Sequence, residues 1–137
     1  MFSTLDISAS ALSAYRVRMD VIANNVANVQ TTRDPSGRSI PYRRAVALFA
    51  PGAAGLGGLG VRISGVIQDP SPLKKVHDPD HPDAVKSGLD AGYVFYPNVD
   101  PVIEMVDMIA ATRAYQANVA AYESGKTIIG SALRLIA

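Results

Sequence analysis

The chain has 137 residues, 48% of them hydrophobic, enough for one domain with an appreciable core. Thirteen basic against twelve acidic residues leave a formal net charge of +1, without the basic footprint of a nucleic-acid binder. With no cysteine, disulfide scaffolds, thiol catalysis and cysteine-ligated zinc are excluded.

From Leu5 to Val29 apolar residues recur at alternating steps of three and four: Leu5, Leu12, Tyr15, Met19, Ile22, Val26 and Val29, with Ser8 as the polar member of the series. This heptad seam predicts a helix with one apolar face, and Asp6, Arg16, Arg18 and Asp20 fall off it. The stretch lacks the charged start and continuous apolar run of a cleaved signal peptide, so none is expected. No window approaches the roughly 18 uninterrupted apolar residues of a membrane span. At the end of this helix stand Asn24, Asn25 and Asn28. Two readings are open for them: amides that bond freed carbonyls at a fraying helix end, or amides that donate and accept across to a packed neighbour and fix its register.

Between Arg33 and Asn98 the composition changes, with eight of the nine prolines and nine of the eleven glycines, which excludes long helices. Tyr42 to Phe49, Val61 to Gln68 and Tyr93 to Tyr96 are expected as short strands of a small antiparallel element. Gly55-Leu56-Gly57-Gly58-Leu59-Gly60 matches the G-x-G-x-x-G spacing of dinucleotide sites, but that site needs a strand before it and a helix after. Here Pro51 precedes and strand-like Val61-Arg62-Ile63 follows, so a hairpin loop is expected instead. His77-Asp78-Pro79-Asp80-His81-Pro82-Asp83 collects ligand types suited to a divalent metal. Pro79 and Pro82 forbid the helix on which two histidines four apart would converge, and a rigid polar turn is the preferred reading.

The last stretch, Asp100 to Ile136, predicts one helix, capped by Asp100 and opened by Pro101. Glu104 and Asp107 sit early and Arg134 late, as the helix dipole favours. Its seam is Met105, Met108, Tyr115, Val119, Tyr122, Ile129 and Leu133, continued by Ile136 and interrupted by Thr112 and Lys126. Beside it Ala110, Ala114, Ala117, Ala121 and Ser124 form a small-residue stripe that invites close helix approach. At about 1.5 Å per residue the helix is roughly 50 Å long, more than a domain of this size needs. The expected fold is therefore α+β: long N- and C-terminal helices packed as an antiparallel coiled-coil pair, with a small irregular β element between them. Residues 1–32 and 100–137 would form the helical domain and 33–99 the Pro/Gly-rich β region. Whether the seams close on each other or on other chains stays open.

Four segments carry a resemblance: Asp6-Ile7-Ser8-Ala9-Ser10-Ala11-Leu12, Ala23-Asn24-Asn25-Val26-Ala27-Asn28, Gly92-Tyr93-Val94-Phe95-Tyr96-Pro97-Asn98-Val99 and Arg113-Ala114-Tyr115-Gln116-Ala117-Asn118-Val119. Together with Asp69-Pro70-Ser71-Pro72 and Asp78-Pro79-Asp80-His81-Pro82 they are similar to the axial proteins of the bacterial flagellum, and among these to the short proximal-rod type. Gly125 and Gly130 depart from a straight helical pattern and mark a kink or a tight crossing.

The resemblance implies a structural protein without catalytic, cofactor or metal residues. It would be exported unfolded through the flagellar type III apparatus without a cleaved signal, and would assemble helically into the torque-transmitting rod that crosses the periplasm. The implied partners are further copies, other rod proteins, the rod-base adaptor, the export gate or inner-membrane ring, and the periplasmic bushing ring. The implied subunit-interface residues are Leu5, Leu12, Tyr15, Met19, Ile22, Asn24, Asn25, Val26, Asn28, Val29, Met105, Met108, Tyr115, Gln116, Asn118, Val119, Tyr122, Ile129 and Leu133. Terminal helices with such seams are expected to order on assembly. The competing readings are another rod or hook axial protein, a self-contained helical-hairpin adaptor, and a small metal-dependent hydrolase using His77, His81 and Asp83.

Overall fold

The computed structural model describes residues 2–52 and 59–136. Helix α1 spans Phe2–Ala27 and helix α2 spans Pro101–Ile136; between them lie strands β1 (Ala45–Pro51), β2 (Val61–Gln68), β3 (Lys74–His77) and β4 (Tyr93–Tyr96). The chain is thus α+β. The Asp100 carboxylate accepts the Val102 N–H at 2.9 Å and its carbonyl accepts the Glu104 N–H at 3.0 Å, which satisfies donors that the first turn of α2 cannot pair internally. From there the helix runs unbroken through Gly125 and Gly130.

The two helices lie alongside each other in opposite directions. Leu5 meets Gly125, Met19 meets Thr112, and Asn25 meets Glu104. A Cβ at Gly125 would come within 3.0 Å of the Leu5 side chain, so this glycine marks a tight crossing; around Gly130 there is open space.

The face α2 turns inward is shifted from the expected seam: Thr112 and Val119 stay half-buried on it, but Met105, Lys126 and Leu133 do not. Glu104, Met108, Ala111, Tyr115, Asn118, Gly125 and Ile129 are buried or half-buried, whereas Met105 and Leu133 are more than half exposed. The inward line is rotated toward Glu104 by less than the roughly 100° that one helical residue subtends. Periodicity fixes that a face exists but not its rotation when a charged residue occupies an inward position, and Glu104 does so with 0% exposure. Most of the small-residue stripe also turns outward: Ala110, Ala117, Ala121 and Ser124 are exposed and Ala114 is half-buried, while the alanines buried in the chain are Ala11, Ala14 and Ala111, each under 9% exposed.

The strands form two separate two-stranded antiparallel sheets, β1–β2 and β3–β4. β1 pairs from Ala45↔Gln68 to Pro51↔Val61, with a register shift between Leu48 and Phe49. It starts three residues later than the sequence suggests because the preceding donors are committed elsewhere: Tyr42 N–H to the Thr31 carbonyl at 3.0 Å and Arg44 N–H to Asn98 Oδ1 at 2.9 Å. β3 was not expected from sequence. Lys74-Lys75-Val76-His77 has no apolar alternation and becomes a strand only through its ladder with β4, from Lys74↔Tyr96 to His77↔Tyr93.

Helix α1 is the central element, packed on α2 along one flank and on the β1–β2 hairpin along another. Gly60, at φ 83°, brings the start of β2 against α1 so closely that a Cβ there would collide with the Ser10 hydroxyl. That hydroxyl accepts the Val61 N–H at 3.1 Å and donates to the Ile7 carbonyl at 2.7 Å.

Candidate functional site

Where α1 ends, β1 begins and α2 starts, a buried polar cluster joins the three segments. Asn25 is 1% exposed and uses its amide completely. Nδ2 donates to the Ala45 carbonyl at 2.9 Å and to Glu104 Oε2 at 3.0 Å. Oδ1 accepts the Ala45 N–H at 2.9 Å and the Tyr42 hydroxyl at 3.0 Å. Glu104 Oε1 accepts Arg44 Nε at 2.6 Å. The same guanidinium lies 3.6 Å from Asp69 and 3.5 Å from Asp107, while Arg18 reaches Asp107 at 3.8 Å.

No buried side-chain nitrogen or oxygen among the described residues is left unsatisfied. A buried charge set of this kind is tolerated only when every lone pair is met. Burial works against the charge on Arg44, but its hydrogen bond to Glu104 and the surrounding carboxylates hold its pKa above the ordinary value. Burial, followed by the Glu104 charge, raises that of the Tyr42 hydroxyl.

Sequence reasoning placed Asn25 at a subunit boundary and saw Glu104 as a helix-dipole partner; the structure gives both an internal role. Arg44 carried no signal, and nothing in the spacing of Asp69, Asn98, Arg18 and Asp107 showed that they meet it, because that spacing follows no local period. Asn98 Nδ2 donates to Asp69 and Ser71 carbonyls while Oδ1 accepts the Arg44 N–H, so the entry to α2 is laced to the loop after β2. Asn24 and Asn28 take the local option. Their Nδ2 groups donate to the carbonyls four residues back, Asp20 at 3.0 Å and Asn24 at 2.9 Å. Asn118 does the same to Ala114 at 2.8 Å.

Of the other expected interface residues, Ile22 is buried in the chain. Leu5, Leu12, Tyr15, Met19, Val26, Val29, Met108, Tyr115, Val119 and Ile129 are half-buried, and Gln116 and Tyr122 are exposed. Around the seam residue Met105 the structure brings forward neighbours that the seam omitted. Val102, Met105, Val106 and Ile109 stand at i, i+3, i+4 and i+7 of α2, all more than half exposed, with Ile103 beside them; Gln116 continues the same line. This apolar stripe faces away from its own chain.

The two motifs that suggested chemistry resolve differently. Gly55 to Gly58 lie outside the described residues, but the chain on either side is antiparallel strand, and Gly52 N–H bonds the Gly60 carbonyl at 3.0 Å. In the histidine turn, His77 stacks edge-on against Tyr93 at 5.0 Å and His81 against Tyr96 at 6.2 Å. Asp83 is used by Thr32 at 2.8 Å and Arg33 at 2.6 Å, so its carboxylate ties the turn to the segment after α1. The Thr32 hydroxyl, with Arg33 adding to it, outweighs burial and holds the Asp83 carboxyl below the usual carboxylate range.

Comparison with known proteins assigns both ends. A model described as flagella basal body rod protein matches residues 5–33, and one described as flagellar basal body rod FlgEFG protein C-terminal matches residues 90–135. Over nearly its whole length the chain is similar to proteins named flagellar basal-body rod protein FlgC. It is 44% identical to that of Borreliella burgdorferi over 99% of this chain and 97% of that protein. It is 42% identical to that of Bacillus subtilis and 40% to that of an Escherichia coli strain, each over 98% of this chain and 97% of the relative. The chain, with its paired terminal helices and strand-rich middle, belongs to the FlgC family of flagellar basal-body rod proteins.

Proposed function

We propose that this chain is a structural, non-catalytic subunit of the proximal rod, and that it docks on its neighbours chiefly through the outward face of α2. The observation that carries the reading is the stripe Val102, Met105, Val106 and Ile109, each of which is more than half exposed. Burying it against helices of adjacent rod subunits removes apolar area from water at roughly 25 cal/mol per Å² before ordering costs. A contact of this kind between unlike patches does not close on itself and propagates into a helical tube. Residues 1–32 and 100–137 form the axial core, and 33–99 the outer β region.

The half-buried seam residues Leu5, Leu12, Met19, Tyr115, Val119 and Ile129 pair the two helices and extend the same surface. Beyond Val119 few residues of α2 are covered by the chain itself, and this end gains its order from neighbours. The remaining partners are other rod proteins, the adaptor at the rod base, the inner-membrane ring or export gate, and the bushing ring. Export proceeds without a cleaved signal, and the assembled rod crosses the periplasm and transmits torque.

The test is Val106→Lys combined with Ile109→Lys. Both sites are solvent-exposed in the chain, so the purified variant is expected to keep wild-type helicity and melting behaviour. In cells lacking the wild-type copy it is expected to be exported yet absent from basal bodies, with motility lost. Normal swimming by the double variant overturns the assignment.

A further inference from the structure

The histidine turn, which the assembly reading leaves without a role, forms one wall of a notch of about 460 Å³ between the segment after α1 and the β3–β4 sheet. Val29 and Gln30 line one side, Lys74, Val76 and Tyr96 another, and His81 closes it. Lys74 and Tyr96 are directly paired across the ladder, with Val76 two residues along on the same face.

Three neutral groups of this lining have no hydrogen-bond partner among the described residues: the Gln30 amide, the Tyr96 hydroxyl and His81 Nε2. His81 is set up as a donor, because its Nδ1 accepts the Asp83 N–H at 3.1 Å; the neutral ring then carries its proton on Nε2. The Lys74 ammonium donates one hydrogen to the Val99 carbonyl at 2.7 Å and has two left. No carboxylate lines the notch; of the two beside His81 in sequence, Asp80 is exposed and Asp83 is spent on Thr32 and Arg33.

One cation surrounded by neutral donors over an apolar floor suits a single carboxylate better than a multiply charged anion. The volume far exceeds one carboxylate, and Val76 stays 47% exposed beside it, which leaves room for the flanking backbone of a polypeptide. We propose that this notch receives an aspartate or glutamate side chain presented by a segment of a neighbouring axial protein. The inference rests on the rod reading for the source of the carboxylate and not for the existence of the site.

The experiment is a titration of the full-length monomer, followed through the His81 and Tyr96 ring resonances at constant ionic strength. The probes are the blocked peptide acetyl-Ala-Asp-Ala-amide, its Asn counterpart, and sodium acetate. The Asp peptide is expected to give saturable shifts at both rings, several-fold tighter than acetate, and the Asn peptide none. Lys74→Met should weaken the Asp peptide by about tenfold or more, and Gln30→Leu, at an exposed position, by about threefold.

Absence of saturable shifts with the Asp peptide overturns the site. So do equal shifts from the Asn peptide, or unchanged affinity in Gln30→Leu should Lys74→Met not fold. Acetate binding as tightly as the Asp peptide overturns the assignment to a protein segment. None of these outcomes bears on the α2 interface, which the lysine substitutions test separately.

Discussion

Asn25 and Ala45 are joined by two hydrogen bonds of 2.9 Å each, the side-chain amide giving and taking as the backbone of a paired strand would. The helix thereby terminates one end of β1, and a third bond from the same amide fixes the start of α2 at Glu104. Asn25→Ala takes the partner from an N–H, a carbonyl, a carboxylate oxygen and the Tyr42 hydroxyl around a buried site. The expected loss is about 3 kcal/mol or more, measured by urea unfolding, with an unchanged m-value. A loss below 1 kcal/mol would mean that water replaces the amide there.

The Arg44–Glu104 pair predicts an inverted order of stability. Arg44→Met alone strands a buried carboxylate and should cost about 3–5 kcal/mol, whereas adding Glu104→Met removes the stranded charge and should recover a large part of it. A double-mutant cycle checks this. A double variant less stable than Arg44→Met would show that the bond from Asn25 Nδ2 to Glu104 is worth more than removing the unpaired charge.

Two glycines should respond to alanine with opposite signs. Gly60 combines φ 83° with contact against Ser10, so Gly60→Ala is expected to cost about 2 kcal/mol or more and to break the Ser10–Val61 bond. Gly130 sits in a helix with nothing near its missing Cβ, and Gly130→Ala should favour the helix locally by about 0.5–1 kcal/mol. Because this end of α2 is thinly covered, the gain should register as slower amide exchange over residues 127–134 rather than as a large rise in Tm.

Asp83 predicts part of the acid limb of the stability profile. Its folded-state pKa is depressed by the Thr32 hydroxyl first, then by Arg33. Its contribution is therefore fully present above the unfolded carboxylate value of about 4 and is lost as pH falls through the lower folded value. Stability measured from neutral pH downward should show a shallower acid loss in Asp83→Asn than in the wild type. Parallel curves for the two would show that the carboxylate is not coupled to folding.

The outlines of the fold were legible in the sequence because they rest on local periods. The terminal seams, the Asp100-Pro101 entry and the Pro/Gly-rich interval foretold α1, α2, β2 and β4, and the asparagine, Tyr-Pro-Asn-Val and Tyr-Gln-Ala-Asn segments foretold the family. The α1 seam also foretold the face that helix buries, whereas tertiary structure alone decided which way α2 faces. Its choice turned on Glu104, a residue whose charge argues for solvent until Arg44, sixty positions earlier in the chain, and Asn25 are brought to it. The same holds for β3, which exists by pairing and not by propensity, and for the notch at His81. Periodicity reports what one segment requires of its surroundings; which distant residue meets that requirement is fixed only when the chain is folded.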